Sequence, residues 1–181
     1  MLDGLKNNST GLNLFTQDGA LWNCAACGLS RFDGREFFTL TSENGLSALS
    51  SAPLAACQDD SGMFWIGTSA GIWRYRPDGG AAPEGFSAPD LPTAEITEME
   101  RTADGAVWWR TRDKLVRYQN GRGDVFGGLW RPDPGDPLSA ALYPTIFPKR
   151  LAADGKYLWL TGPGAGLVRL EGTNQLRWGA A

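Results

Sequence analysis

Residues 18–34 read DGALWNCAACGLSRFDG, and that order of residue types returns three more times along the chain. An Asp-Gly pair opens it, an apolar stretch containing Trp22 follows, and Gly28-Leu29-Ser30-Arg31-Phe32 leads to a second Asp-Gly pair. Trp65 and Trp108 follow Trp22 at intervals of 43 residues, and Arg74 and Arg117 follow Arg31 at the same interval. A fourth copy, at Trp159 and Arg169, comes after 51 and 52 residues. A fixed period of this length marks an array of one small structural unit, and it decides the fold before any other feature does.

Each copy reads as antiparallel β-structure. The apolar runs Leu21-Trp22-Asn23, Phe64-Trp65-Ile66, Val107-Trp108-Trp109 and Leu158-Trp159-Leu160 are apolar on consecutive residues, so neither face of their sheet meets much water. A second strand carries the Arg: Gly28 to Phe32, Gly71 to Tyr75, Lys114 to Tyr118 and Gly166 to Leu170. Turn pairs Asp33-Gly34, Asp78-Gly79, Asn120-Gly121 and Glu171-Gly172 come next, the first three being strong hairpin signals because both residues tolerate positive φ. Phe37-Phe38, Phe86, Val125-Phe126 and Leu176 to Trp178 read as outer strands. Leu12 to Phe15, Leu54 to Cys57, Ile96 to Arg101 and Ile146 to Leu151 supply the inner ones. No window keeps a helical period, and 24 Gly with 11 Pro argue against stacked helices.

Four short strands per repeat make the blade of a β-propeller. The expected fold is all-β: one β-propeller-type domain over 1–181, with blades at approximately 10–50, 51–92, 93–142 and 143–181. Propellers typically have 4–8 blades. Three arrangements suit about four: a stretch of a larger ring, an arc completed by a second copy, or a closed four-bladed ring. The first is expected, as a partial ring, because the chain begins near an inner strand and stops near an outer one.

The repeat resembles that of the two-component regulator propeller family. Asp18-Gly19-Ala20-Leu21-Trp22, Gly28 to Gly34 and Thr41-Ser42-Glu43-Asn44-Gly45-Leu46 carry the resemblance, with Phe64 to Thr68 and Gly71 to Tyr75 as a second good copy. The third copy departs at Arg110 and Lys114, and the fourth lacks the aromatic after Arg169. The resemblance implies a sensor module in the periplasmic or extracellular part of a bacterial membrane kinase.

Charge and composition remove several functions. Seventeen basic and 20 acidic residues leave a net charge of −3 with no basic stripe, so nucleic acid is excluded as a partner. No apolar run is long enough to cross a membrane as a helix. Met1 to Thr10 is polar and lacks the apolar centre of a signal peptide, so a leader for an exported protein would lie upstream. The chain has no histidine, which rules out Ser-His-Asp and Cys-His triads and any His-ligated metal. Streptogramin-lyase propellers share a related repeat and use histidine, so their activity is not expected. No catalytic residue, cofactor or metal is assigned.

Cys24 and Cys27 form a C-x-x-C in the first copy. A zinc site would need two further ligands, and a thioredoxin-like pair would need a βαβ context. They are read as two small apolar residues, or as a disulfide in an oxidising compartment. Cys57 is read as buried packing. The repeated Arg is read as a scaffold residue that bridges neighbouring blades. Candidate ligand contacts are Trp130, Arg131 and Asp133, in the long insertion before the fourth copy, with Glu98 and Glu100 on an inner strand. The insertion serves equally as a cover for an exposed apolar edge. Glu100 and Arg150 are expected side by side, counting back from Trp108 and Trp159. The expected function is non-catalytic sensing of a small molecule or glycan, with further blades or a second copy as protein partner. The alternatives are a carboxylate-using carbohydrate-active or lyase-type enzyme and a purely structural assembly module.

Overall fold

The computed structural model describes residues 12–25, 28–40, 51–77, 81–129, 150–162 and 166–178. Among them are four antiparallel sheets of four strands each and no α-helix. Every sheet is a meander in chain order. The first holds β1 (Leu12–Phe15), β2 (Leu21–Ala25), β3 (Gly28–Phe32) and β4 (Phe37–Leu40). The second holds β5 (Pro53–Gln58), β6 (Phe64–Thr68), β7 (Ile72–Tyr75) and β8 (Glu84–Phe86). The third holds β9 (Glu98–Arg101), β10 (Val107–Arg110), β11 (Lys114–Gln119) and β12 (Arg122–Gly127). The fourth holds β13 (Arg150–Ala153), β14 (Leu158–Gly162), β15 (Gly166–Glu171) and β16 (Asn174–Trp178).

The repeat sets the register. Trp22 lies opposite Arg31, Trp65 opposite Arg74, Trp108 opposite Arg117 and Trp159 opposite Arg169. Cross-strand partners share a face, so each sheet has one face that carries both the Trp and the Arg. Asn120 and Gly121 both adopt positive φ, 52° and 80°, as the two-residue hairpin between β11 and β12 requires.

The chain divides into two compact units, Met1–Met99 and Glu100–Ala181. Each has its own core, built in the same way. In the first unit, Trp22, Leu29 and Leu40 from one sheet pack with Ala56, Phe64, Ile66 and Tyr75 from the next. In the second, Trp108 and Leu115 pack with Leu151, Leu158, Leu160, Val168 and Leu170. Within each unit, the Trp-bearing face of the earlier sheet is thus covered by the opposite, apolar face of the later one. Fully burying one such side chain contributes about 1.5–3 kcal/mol, which is why consecutive apolar residues occur in the β2, β6, β10 and β14 repeats. The first sheet differs on its other face. A cross-strand row of Asn13, Asn23, Ser30 and Thr39 runs there. Asn23 donates to Asn13 at 2.8 Å, and the Ser30 and Thr39 hydroxyls lie 2.9 Å apart.

One expected register is corrected. Leu14 lies opposite Trp22 and Cys57 opposite Trp65, both eight residues earlier in the chain, whereas Ala152 lies opposite Trp159, seven earlier. The turn at Asp154 to Tyr157 is therefore one residue shorter than its counterparts, not longer. Counted by the first two sheets, the residue equivalent to Glu100 is Ala152, and Arg150 falls two places away.

Candidate functional site

The turn joining the first two strands of each sheet is where polar chemistry gathers. Two versions of it place a hydroxyl and a carboxylate two residues apart. In the first and third sheets the order is Thr-x-Asp: Thr16 donates to Asp18, and Thr102 donates to Asp104 at 2.6 Å. In the second sheet the order is reversed, and Ser61 Oγ donates to Asp59 at 2.6 Å. Gly19, Gly62 and Gly105 all close the turn near φ 80°, a left-handed conformation that a Cβ disfavours.

The turn also holds the repeat Trp and Arg. Trp65 Nε1 donates to Asp59 at 2.8 Å, Trp108 Nε1 to Thr102 at 2.9 Å and Trp159 Nε1 to Asp154 at 2.7 Å. Arg31 pairs with Asp18 at 2.9 Å and Arg117 with Asp104 at 2.6 Å. Arg74, whose turn offers Ser61 instead, pairs with Glu84 on the outer strand at 2.6 Å. Arg74, Arg117 and Arg169 also lie 5.8–5.9 Å from the ring of their cross-strand Trp. Among the described residues, the ion pairs of Arg31 and Arg117 tie turn to strand and that of Arg74 ties strand to strand, each within its own sheet. Equal spacing reveals that a residue is part of the repeat, not which way its side chain reaches.

These bonds fix the protonation of the turns. The Thr16 hydroxyl, then Arg31 and the Ala20 amide, hold Asp18 at about 2. Burial pushes Asp104 up, but hydrogen bonds from Thr102 and Arg117 outweigh it and leave the carboxyl below its usual range. Asp59 behaves alike: burial raises it, and Ser61 and Trp65 more than reverse the effect.

In the first unit, two such turns meet along a cleft of about 250 Å³. The Gln17 amide donates to Gln58 Oε1 at 3.0 Å, and the Gln17 side chain donates to the Asp59 carbonyl at 3.3 Å. Asp18, Arg31, Asp60 and Ser61 line the opening, and Trp22 and Phe64 line it as well, their rings 4.8 Å apart. The cleft thus offers amides, a hydroxyl, carboxylates and an ion-paired guanidinium above aromatic carbon. That set suits a polar, uncharged or weakly charged ligand.

The fold has counterparts in solved structures. The chain matches streptogramin B lyase with a TM-score of 0.66 at 15% identity, over 96% of this chain and 55% of the lyase. It matches the extracellular domain of a hybrid two-component system from B. thetaiotaomicron at 0.65 and 18%, over 93% of this chain and 23% of that one. A one-component system's extracellular domain from the same organism gives 0.67 and 18%, over 97% and 25%. The fold is all-β, built of β-propeller blades. The chain spans about half the length of the lyase and about a quarter of the two extracellular domains. Identities this low speak for the fold alone. No protein-family model matches the chain, and no curated protein does.

The propeller places the sequence-derived candidates unevenly. Glu98 and Glu100 lie half-buried on β9, two residues apart and so on one face of the strand. Trp130, Arg131 and Asp133 lie outside the described residues, as does Cys27. Cys24 occupies β2 opposite Leu29. Cys57 is 5% exposed in β5. Trp109, shared with no other copy, is fully buried beside Tyr118 and is core. Among the described residues no three acidic or sulfur ligands cluster as a metal site would need. The cleft is not legible from sequence, because its residues come from turns some 40 positions apart, and only packing of one sheet on the next brings them together.

Proposed function

We propose that this chain is a stretch of a non-catalytic, ligand-sensing β-propeller that belongs to the extracytoplasmic input region of a bacterial two-component signalling protein. The observation that carries the reading is the polar cleft between the first two turns, which the Gln17–Gln58 bond links. Its ligand is a small polar molecule or a glycan. Similarity to the extracellular domains of a two-component and a one-component system supports the setting, and the family resemblance of the repeat agrees with it.

The electrostatics of the turns favour binding over catalysis. A general acid needs a carboxyl whose proton is retained near neutral pH. Asp18, which lines the cleft, is held at about 2 and is committed to Thr16 and Arg31. The lyase-type alternative meets a second obstacle. A virginiamycin B lyase from Staphylococcus aureus is described as catalytically inactive in a variant with one histidine replaced by alanine, and this chain has no histidine at all.

The test is thermal denaturation of the chain against a panel of mono- and oligosaccharides and small polar metabolites, alongside Gln58→Ala and Asp60→Ala. At least one ligand class should raise the wild-type Tm by mass action and should fail to do so in the variants. A panel without effect, or variants that respond as the wild type does, would overturn the cleft as the sensing site. Turnover of any panel member would favour the enzymatic reading instead.

A further inference from the structure

In three of the four sheets the indole N–H of the repeat Trp is spent on the first residue of the turn before it. Trp65 gives it to Asp59, Trp108 to Thr102 and Trp159 to Asp154, at 2.7–2.9 Å. The register puts Thr16 at that place in the first sheet, two residues after the partner of Trp22. The Thr16 hydroxyl bonds to Asp18 and to the Ala20 carbonyl. Trp22 Nε1 has no hydrogen-bond partner among the described residues.

The second unit shows the closed form of the same junction. Ala103 follows Thr102 as Gln17 follows Thr16. The Ala103 amide donates directly to the Gly155 carbonyl in the turn of the next sheet, and there Trp108 is 1% exposed with its N–H taken. In the first unit the Gln17 amide reaches the Gln58 side chain instead, and the cleft lies at this junction with Thr16, Gln17 and Trp22 in its wall. Trp22 is 2% exposed. Among the described residues, the indole N–H that is sealed from solvent without a partner belongs to Trp73, not to Trp22. The Trp22 N–H is therefore open to the cleft that its ring lines.

The wall limits what can complete this bond. In the other copies the acceptor is an oxygen, carboxylate or hydroxyl. In the cleft, Asp18 and Asp60 line the opening, and Arg31 already spends a nitrogen on Asp18 at 2.9 Å. An incoming anion would meet two like charges, which is strongly unfavourable. An ammonium group has no lone pair with which to accept. The volume of about 250 Å³ lies below the roughly 300–1,000 Å³ of sites for drug-sized ligands, so the molecule is small.

Resting on the cleft as the sensing site, the geometry points to Trp22 as the residue that selects its ligand: the indole N–H donates to an uncharged oxygen acceptor, a hydroxyl or an amide carbonyl, of a small molecule. A water-exposed donor would gain little from such a bond, but a donor on a nearly buried ring gains the full difference between a bonded and an unbonded N–H.

The test is nuclear magnetic resonance of the isotope-labelled chain, in which each indole N–H gives its own signal. Trp22→Phe assigns that of Trp22 by its disappearance; contacts to the Phe64 ring, 4.8 Å away, assign it if the variant does not fold. The probes are acetamide for the carbonyl and glycerol for the hydroxyl, with acetate as the charged counterpart. At least one neutral probe should move the Trp22 signal downfield and saturate. The signals of Trp65, Trp108 and Trp159, already bonded, should stay in place. Acetate should bind at least about tenfold more weakly than that probe. Trp22→Phe should weaken the neutral probe several-fold, up to about tenfold, the worth of one uncharged hydrogen bond. Acetate binding as tightly as the neutral probes, or no movement of the Trp22 signal up to about 100 mM probe, would overturn the assignment. A neutral probe that shifts Gln17 and Gln58 but not Trp22 would overturn it too, while leaving the cleft standing as the sensing site. The ligand panel with Gln58→Ala and Asp60→Ala judges the cleft separately.

Discussion

At the scale of single residues, the repeat Trp does more than fill a core. Trp108 is 1% exposed, gives its Nε1 to Thr102 and lies beneath Arg117. Trp159 holds the same place but is only half-buried. Trp108→Ala should therefore cost about 3–5 kcal/mol, and Trp159→Ala clearly less, because less surface returns to water and a smaller cavity remains. Chemical denaturation of the two variants checks the order. A second expectation concerns coupling. Trp108 and Arg117 touch, so Trp108→Phe and Arg117→Met should show an interaction energy of at least about 0.5 kcal/mol in a double-mutant cycle. Trp22 and Leu160 belong to separate cores, and changes there should add within about 0.5 kcal/mol.

At the scale of elements, two glycines should both resist replacement by alanine, for different reasons. Gly121 has φ +80° with nothing near the position of a Cβ. Gly121→Ala should cost about 1 kcal/mol, all of it backbone strain in the β11–β12 hairpin. Gly67 has an ordinary φ, but a Cβ there would run into the Ile96 side chain and lie 3.1 Å from Met99 Sδ. Gly67→Ala should cost more, about 1–3 kcal/mol, by overpacking. The strands themselves are readable from sequence because every copy repeats the same Trp–Arg pair after a glycine-containing turn. The Asn-Gly pair at 120–121 announces its hairpin by chemistry alone. The fourth hairpin is one residue off when counted from sequence, because an alignment on Trp159 cannot distinguish a longer turn from a shorter one. Only the pairing of Ala152 with Trp159 settles it. The direction of the Arg side chains is hidden for a similar reason. Arg31 and Arg117 meet acids 13 residues away at the turn, a spacing that has no meaning until the hairpin is folded.

At the scale of the whole molecule, the absence of histidine and the presence of pinned turn aspartates together shape the response to pH. Asp18, Asp33, Asp59, Asp104 and Asp154 are all held below the usual carboxylate range. A carboxyl whose folded value is depressed stabilises the fold above its unfolded value, about 3.9. That contribution is lost as pH falls through the folded value. For Asp18 the window runs from about 4 down to about 2. At the alkaline end the Glu171 carboxylate, with Tyr157, pushes Lys156 up to about 12. A raised lysine stabilises below its unfolded value and loses that contribution as pH rises towards 12. Between these edges no histidine changes charge. Stability should therefore be nearly flat from about pH 5 to pH 7.5 and should fall progressively below about pH 4. Asp104→Asn sharpens the test, because its ion pair is partly exposed and contributes about 1 kcal/mol after solvent screening. The variant should be less stable than wild type at pH 7, and the difference should close as the wild-type carboxyl protonates below pH 4. Denaturant midpoints measured at each pH decide it. A gap that persists unchanged at about pH 2 would mean that the Asp104 carboxylate does not act through its charge, and that the turn is held by shape alone.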